Sequence, residues 1–130
     1  MMNYMNRDLG LLLIRLGLAT IFIYHGWGKF SNLEGTTAFF ASLGLSVYFP
    51  YLVATVELLG GLAMLVGIKA RLAGALLAVV MVFAIYLVKW AKGFGGYEFD
   101  FMLLLSSLGI FFAGSGRYTV RMLMGQNQTQ

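Results

Sequence analysis

The sequence predicts an all-α, polytopic membrane protein: four transmembrane helices in an up-down bundle, with a short interfacial helix between the first and second. Three observations carry this. Of the 130 residues, 60 % are hydrophobic and only 11 % charged, against about 25 % charged in an ordinary soluble domain. Four apolar stretches, at residues 9–27, 51–68, 72–88 and 97–114, are 17 to 19 residues long. At 1.5 Å per residue each spans about 26 to 28 Å, close to the thickness of a hydrocarbon core. The third, "LAGALLAVVMVFAIYLV", has no polar side on any helical face, which a soluble bundle helix would need. These spans and their loops use the whole chain, so a single membrane domain over 1–130 is expected.

The first stretch follows "MMNYMNRDLG". Arg15 interrupts its apolar run and no small-residue cleavage site follows, so it is read as a retained helix and not a signal peptide. The link to the second span, "GKFSNLEGTTAFFASLGLSVYFPY", is too long to be structureless. Ser31 and Glu34 fit a capping box, and Phe39, Phe40 and Leu43 precede Gly44 as a stop, so a helix over about 32–43 is predicted, lying at the interface. Pro50 opens the second helix, where its missing N–H costs least. The turn at 67–71 makes the second and third helices an antiparallel hairpin, and "KGFGGYEFD" is a glycine-rich turn into the fourth. Gly74 and Ala78, Gly109 and Ala113, and Gly60 with Gly61 are read as positions of close helix packing.

Composition excludes several function classes. There is no cysteine and one histidine, so disulfides, thiol redox chemistry, iron–sulfur clusters, thiolate metal sites and a bis-His haem within the chain are all ruled out. A redox role would need a diffusible cofactor, of which a quinone is the fitting class, or a partner subunit. The net charge of +4 comes from residues scattered among the spans, which form no basic face for nucleic acid. With the N-terminus inside, Arg7, Lys69, Arg71, Arg117 and Arg121 are cytoplasmic and Lys29, Lys89 and Lys92 external. The positive-inside rule thus favours a plasma or inner membrane protein with both termini cytoplasmic.

Two charges fall within apolar runs, where each costs at least about 2.5 to 3.5 kcal/mol near the bilayer centre. Arg15 shares one helical arc with Phe22, His25 and Lys29, and Glu57 shares a face with Gly60, Gly61 and Met64. Arg15 and Glu57 lie about 12 Å apart in depth. A direct salt bridge therefore needs tilt, a thinner bundle or a bridging water; otherwise Arg15 snorkels to the cytoplasmic face or bonds backbone carbonyls. His25 lies close to the level of Glu57, with Lys29 just above. Glu98 and Asp100 enter from the same outer end. The ligand-binding candidates are His25, Glu57, Arg15, Lys29, Glu98 and Asp100, converging on an outer-half crevice where His25 and Glu57 meet a small polar head group; no metal site is expected. The alternative is that these charges neutralise one another and hold the bundle in register, with Trp27, Trp90 and Tyr97 as interfacial anchors and the lysines solvated.

The motifs "RLGLATIFIYHGWGKF", "FFASLGLS" and "ELLGGLAMLVGIKAR", with weaker "YEFDFMLLL" and "GSGRYTV", resemble the DoxX family of small bacterial and archaeal membrane proteins over about residues 9–121. The last motif departs from the family pattern at Ser115, Tyr118 and Thr119. The resemblance implies a four-helix membrane bundle with a shared motif at the Arg15 and Glu57 positions. Some relatives resemble subunits of thiosulfate:quinone oxidoreductases, and others are linked to membrane redox complexes. Without a thiol of its own, this chain fits a quinone-side or anchoring subunit rather than one that handles sulfur. The expected partners are the lipid bilayer, a partner oxidoreductase subunit or a second copy of the chain. Lipid or small-solute transport and a structural scaffold are the competing readings.

Overall fold

In lipid every backbone N–H and C=O must find its partner within the chain, which leaves helices as the solution for single apolar spans. The computed structural model describes residues 4–125, and among these all regular structure is helical: α1 Tyr4–Ser31, α2 Leu33–Ser42, α3 Tyr48–Val66, α4 Ala70–Phe83, α5 Phe94–Ala113 and α6 Val120–Gly125. The α4 span runs on as a π-helical stretch, Ala84–Lys89, and a 3-10 turn, Trp90–Lys92. Four helices are long and apolar enough to cross a membrane: α1, α3, α4 with its continuation, and α5.

α1 continues beyond Trp27, through Gly28, to Ser31. Membrane helices tolerate glycine because surrendering backbone hydrogen bonds in lipid costs more than its conformational freedom. The expected capping box at Ser31 and Glu34 does not form. Ser31 Oγ donates to the Trp27 carbonyl at 2.8 Å, and Asn32 caps α2, its Oδ1 accepting from Gly35 N at 3.2 Å. Because α1 still occupies Ser31, the first free cap position is one residue later. α2 ends as expected at Gly44. With φ +78 there, Gly44 N donates to Ala41 O and Leu45 N to Phe40 O, the paired bonds of a Schellman stop. No residue of α2 is buried. Pro50 is the third residue of α3, still within the first turn, where no intrahelical N–H bond is lost.

α1 packs chiefly on α3, and α4 on α5, with α3 and α4 joined through the tight turn at 67–69. Leu18, Phe22, Met64, Leu77 and Ile110 form the centre, while Leu13, Leu59, Phe83, Met102 and Phe112 point outward, as a bundle dissolved in lipid requires. Three glycines permit the closest approaches. A Cβ on Gly26 would sit 2.7 Å from Leu58 N, on Gly61 2.8 Å from Ile23 Cγ1, and on Gly74 2.5 Å from Ser107 O. Gly28 and Gly109 meet nothing within 4 Å, so the packing role expected of Gly109 belongs to Gly74 alone in the α4–α5 contact.

Candidate functional site

The buried face of α1 carries Asp8, Arg15, Phe22 and Gly26, and Arg15 and Lys29 on this side are the residues that tie the bundle together. At 100° per residue Lys29 lies about 40° from Arg15 on the wheel, and His25 about 80°. That difference decides which side chain reaches α3. Lys29 Nζ stands 2.8 Å from Glu57 Oε1, with the two side chains 24 % and 3 % exposed. His25 lies at the edge of the buried arc and is exposed. Its ring meets Tyr24 edge-on, centroids 5.7 Å apart, and among the described residues it makes no hydrogen bond or ion pair with Glu57.

A second pair forms at the same end of the bundle between the π-helical stretch and α5. Lys89 Nζ lies 3.1 Å from Asp100 Oδ1 and 3.0 Å from Oδ2, and Asp100 is 5 % exposed. The π turn widens the helix by one residue per turn, a distortion frequent at functional sites. Lys89 was expected to be solvated; it is instead the counter-ion of a buried carboxylate. Glu98 is exposed and has no ionic partner among the described residues. Trp90 stacks on Tyr97, centroids 5.7 Å apart and planes 9° from parallel, and Trp27, Tyr24 and Tyr86 are exposed at the same end, a belt suited to the membrane interface. The six candidates thus divide into two ion pairs, an exposed histidine and glutamate, and Arg15 nearer the other end.

Arg15 is fully buried and takes the third of the routes open to it. Its Nε donates to Met64 O at 2.9 Å and Nη2 to Leu65 O at 3.3 Å, at the end of α3. Nη1 donates to Ser115 O at 2.9 Å and Tyr118 O at 2.6 Å, in the segment after α5. The last carbonyls of a helix have no intrahelical donor, so the guanidinium fork caps α3 and pins the C-terminal segment at once. Gly67 makes room: with φ +77 it ends α3, and a Cβ there would lie 2.5 Å from Arg15 Nη2. Asp8 is a further buried charge on this face, one that no apolar run flags because it precedes the first span. It is 5 % exposed and 3.4 Å from Arg7, seven residues before Arg15 and so on the same helical face.

Four apolar spans stitched by buried ion pairs and an arginine clasp define a small helical-bundle membrane protein. The DoxX family model matches residues 10–90, and the chain belongs to that family. It is 40 % identical over 109 residues to "Putative oxidoreductase CatD" of Bacillus subtilis, covering 83 % of this chain and 81 % of that one. It is 28 % identical over 123 residues to "Inner membrane protein YqjF" of Escherichia coli, covering 92 % and 95 % respectively. No solved structure matches.

Proposed function

We propose that this protein is a redox-associated membrane subunit that binds the head group of a quinone-like amphiphile at the end of the bundle carrying Lys29–Glu57 and Lys89–Asp100. The observation that carries this reading is the uneven burial of the Lys29–Glu57 pair. An ammonium still partly reachable can donate to a quinone carbonyl, while a desolvated carboxylate can accept from the hydroxyl of the reduced form. One pair therefore serves both redox states. The bilayer delivers such a ligand directly, and the exposed aromatic residues at this end offer its ring flat surfaces. His25, Asp100 and Glu98 lie at the same end and belong to the proposed site's surroundings; Arg15 holds the scaffold. The relative named as an oxidoreductase supports the redox assignment. The charge distribution of the loops supports placing this end outside and both termini in the cytoplasm.

Native mass spectrometry of the full chain released from its own membrane tests the reading. A quinone adduct is expected on the unaltered protein and lost in Lys29→Met and in Glu57→Gln, with His25→Ala reporting whether the ring takes part. A quinone retained equally in Lys29→Met and Glu57→Gln overturns the site.

A further inference from the structure

At the opposite end of the bundle, the α3–α4 turn and the segment after α5 frame an open cavity of about 330 Å³ whose lining includes Gly67, Lys69, Arg71, Ser115, Gly116 and Arg121. We propose that this cavity holds the phosphate of an anionic phospholipid, whose acyl chain lies in the apolar groove between α4 and α5.

Several independent features converge on an anion. Three cationic side chains line the cavity and no acidic one does. The side chains of Lys69 and Arg121 have no hydrogen-bond or ionic partner among the described residues, and Arg71 spends one nitrogen on Phe112 O at 3.3 Å. Ala70 and Arg71 open α4, and the N–H groups of a first helical turn are unpaired and carry partial positive charge. Lys69, the residue before them, takes φ +57 and its side chain provides no cap.

Beneath the cavity lies Arg15. Ser115, which lines the cavity, accepts from Arg15 Nη1, and Gly67, which also lines it, stands against Nη2. All four of Arg15's bonds go to carbonyls. The fork is satisfied geometrically, yet among the described residues no carboxylate comes within ion-pair distance to balance its charge. The nearest acid is Asp8, whose Oδ1 lies 3.4 Å from where a Cβ on Gly116 would stand, so a carboxylate borders the Gly116 edge of the cavity; it pairs with Arg7 at 3.4 Å and not with Arg15. A buried charge without a counter-charge is costly, and an anion above Gly67 and Ser115 supplies one.

The same helix pair tells a lipid from a soluble anion. A groove of about 360 Å³, almost wholly apolar, runs between α4 and α5 and includes Ala75, Val79, Val82, Leu104, Leu108 and Phe111. On α4 these follow Arg71 at intervals of three to four, so Arg71 crowns the stripe that forms the groove's wall. Phe111 precedes Phe112, whose carbonyl Arg71 bonds. Arg71 lines the head-group cavity and stands one helical turn before Ala75, the first groove residue on α4. Basic pockets at the ends of membrane helices suit lipid phosphates, each added cation strengthening binding about fivefold.

The test uses the full chain in a zwitterionic detergent, titrated with phosphatidylglycerol, phosphatidylcholine or inorganic phosphate, and read by native mass spectrometry and melting temperature. Phosphatidylglycerol is expected to bind at least tenfold more tightly than phosphatidylcholine. Lys69→Asn, with asparagine chosen because it tolerates the left-handed backbone, and Arg121→Gln should each weaken it about fivefold, and together about twenty-fivefold. Val79→Trp, which fills the groove, should weaken a long-chain phosphatidylglycerol but spare its dihexanoyl form. Equal binding of the two lipids, or unchanged binding in both cation variants, overturns the proposal. So does a melting shift from inorganic phosphate as large as that from the lipid, which would assign the cavity to a soluble anion. Lys69 and Arg121 lie at the opposite end of the bundle from Lys29, so loss of lipid binding in those two variants is read separately from the quinone result.

Discussion

Lys29 Nζ lies 2.8 Å from Glu57 Oε1, yet the lysine side chain is 24 % exposed and the glutamate 3 %. The partners are therefore not equivalent when separated. A lysine left alone can turn its ammonium towards the interface, whereas a glutamate left alone stays buried.

The expected consequence is an asymmetry in stability. Lys29→Met should cost roughly 3 to 5 kcal/mol, the range for leaving a buried charge uncompensated, and Glu57→Gln clearly less. The double variant should recover most of the loss. Unfolding in a denaturing detergent measures all three, and equal losses in the single variants would contradict the burial argument.

A second prediction concerns the clasp. Arg15→Lys keeps the charge but replaces a rigid fork by a point donor that cannot serve α3 and the C-terminal segment together. The loss of at least two charge-assisted bonds should destabilise by about 3 to 6 kcal/mol and release the chain after Ser115. Trypsin should then cleave after Arg117 and Arg121 faster than in the unaltered protein. Unchanged cleavage would show that the segment is held by other means.

Helix packing offers a third. Gly74→Ala drives a methyl group against the Ser107 carbonyl, and Gly26→Ala against Leu58 N; each should cost about 1 to 3 kcal/mol through overpacking. Gly109→Ala meets open space and should be neutral or stabilising by up to about 1 kcal/mol. Melting temperatures of the three variants would separate these outcomes, and a Gly109→Ala loss matching Gly74→Ala would contradict the packing described.

Topology gives a fourth. A reporter fused after Gln130 should be active only in a form that works in the cytoplasm, as five basic loop residues on one side against three on the other demand. Activity of an externally folding reporter would reverse the bundle and place the Lys29–Glu57 end inside.

Much of this architecture was legible in the residues. Apolar length alone locates four spans, because lipid imposes one dominant constraint. Partner choice was less legible. Depth puts His25 at the level of Glu57 and Lys29 just above it, yet Lys29 makes the pair; only the angular position on α1, together with the four-carbon stem of lysine, separates the two. Lys89 and Asp100 are separated by the 3-10 turn and Gly93, and their pairing depends on a π-helical stretch that carries no sequence signature of its own. The four acceptors of Arg15 are carbonyls at Met64, Leu65, Ser115 and Tyr118. Any residue type supplies a carbonyl, so nothing in those side chains announces the contact.

The reach of Arg15 also bears on how the protein is made. Two of its acceptors lie 100 and 103 positions further along the chain, so α1 enters the membrane long before the ribosome has delivered them. Until α5 is inserted and the chain turns back, the guanidinium must lean on water, lipid phosphate or the end of α3. A chain that stalls after α4 therefore carries an arginine with half its bonds missing inside an apolar bundle. The finished protein and the arrested one differ at a single buried charge, which gives membrane proteases a local chemical mark by which to tell them apart.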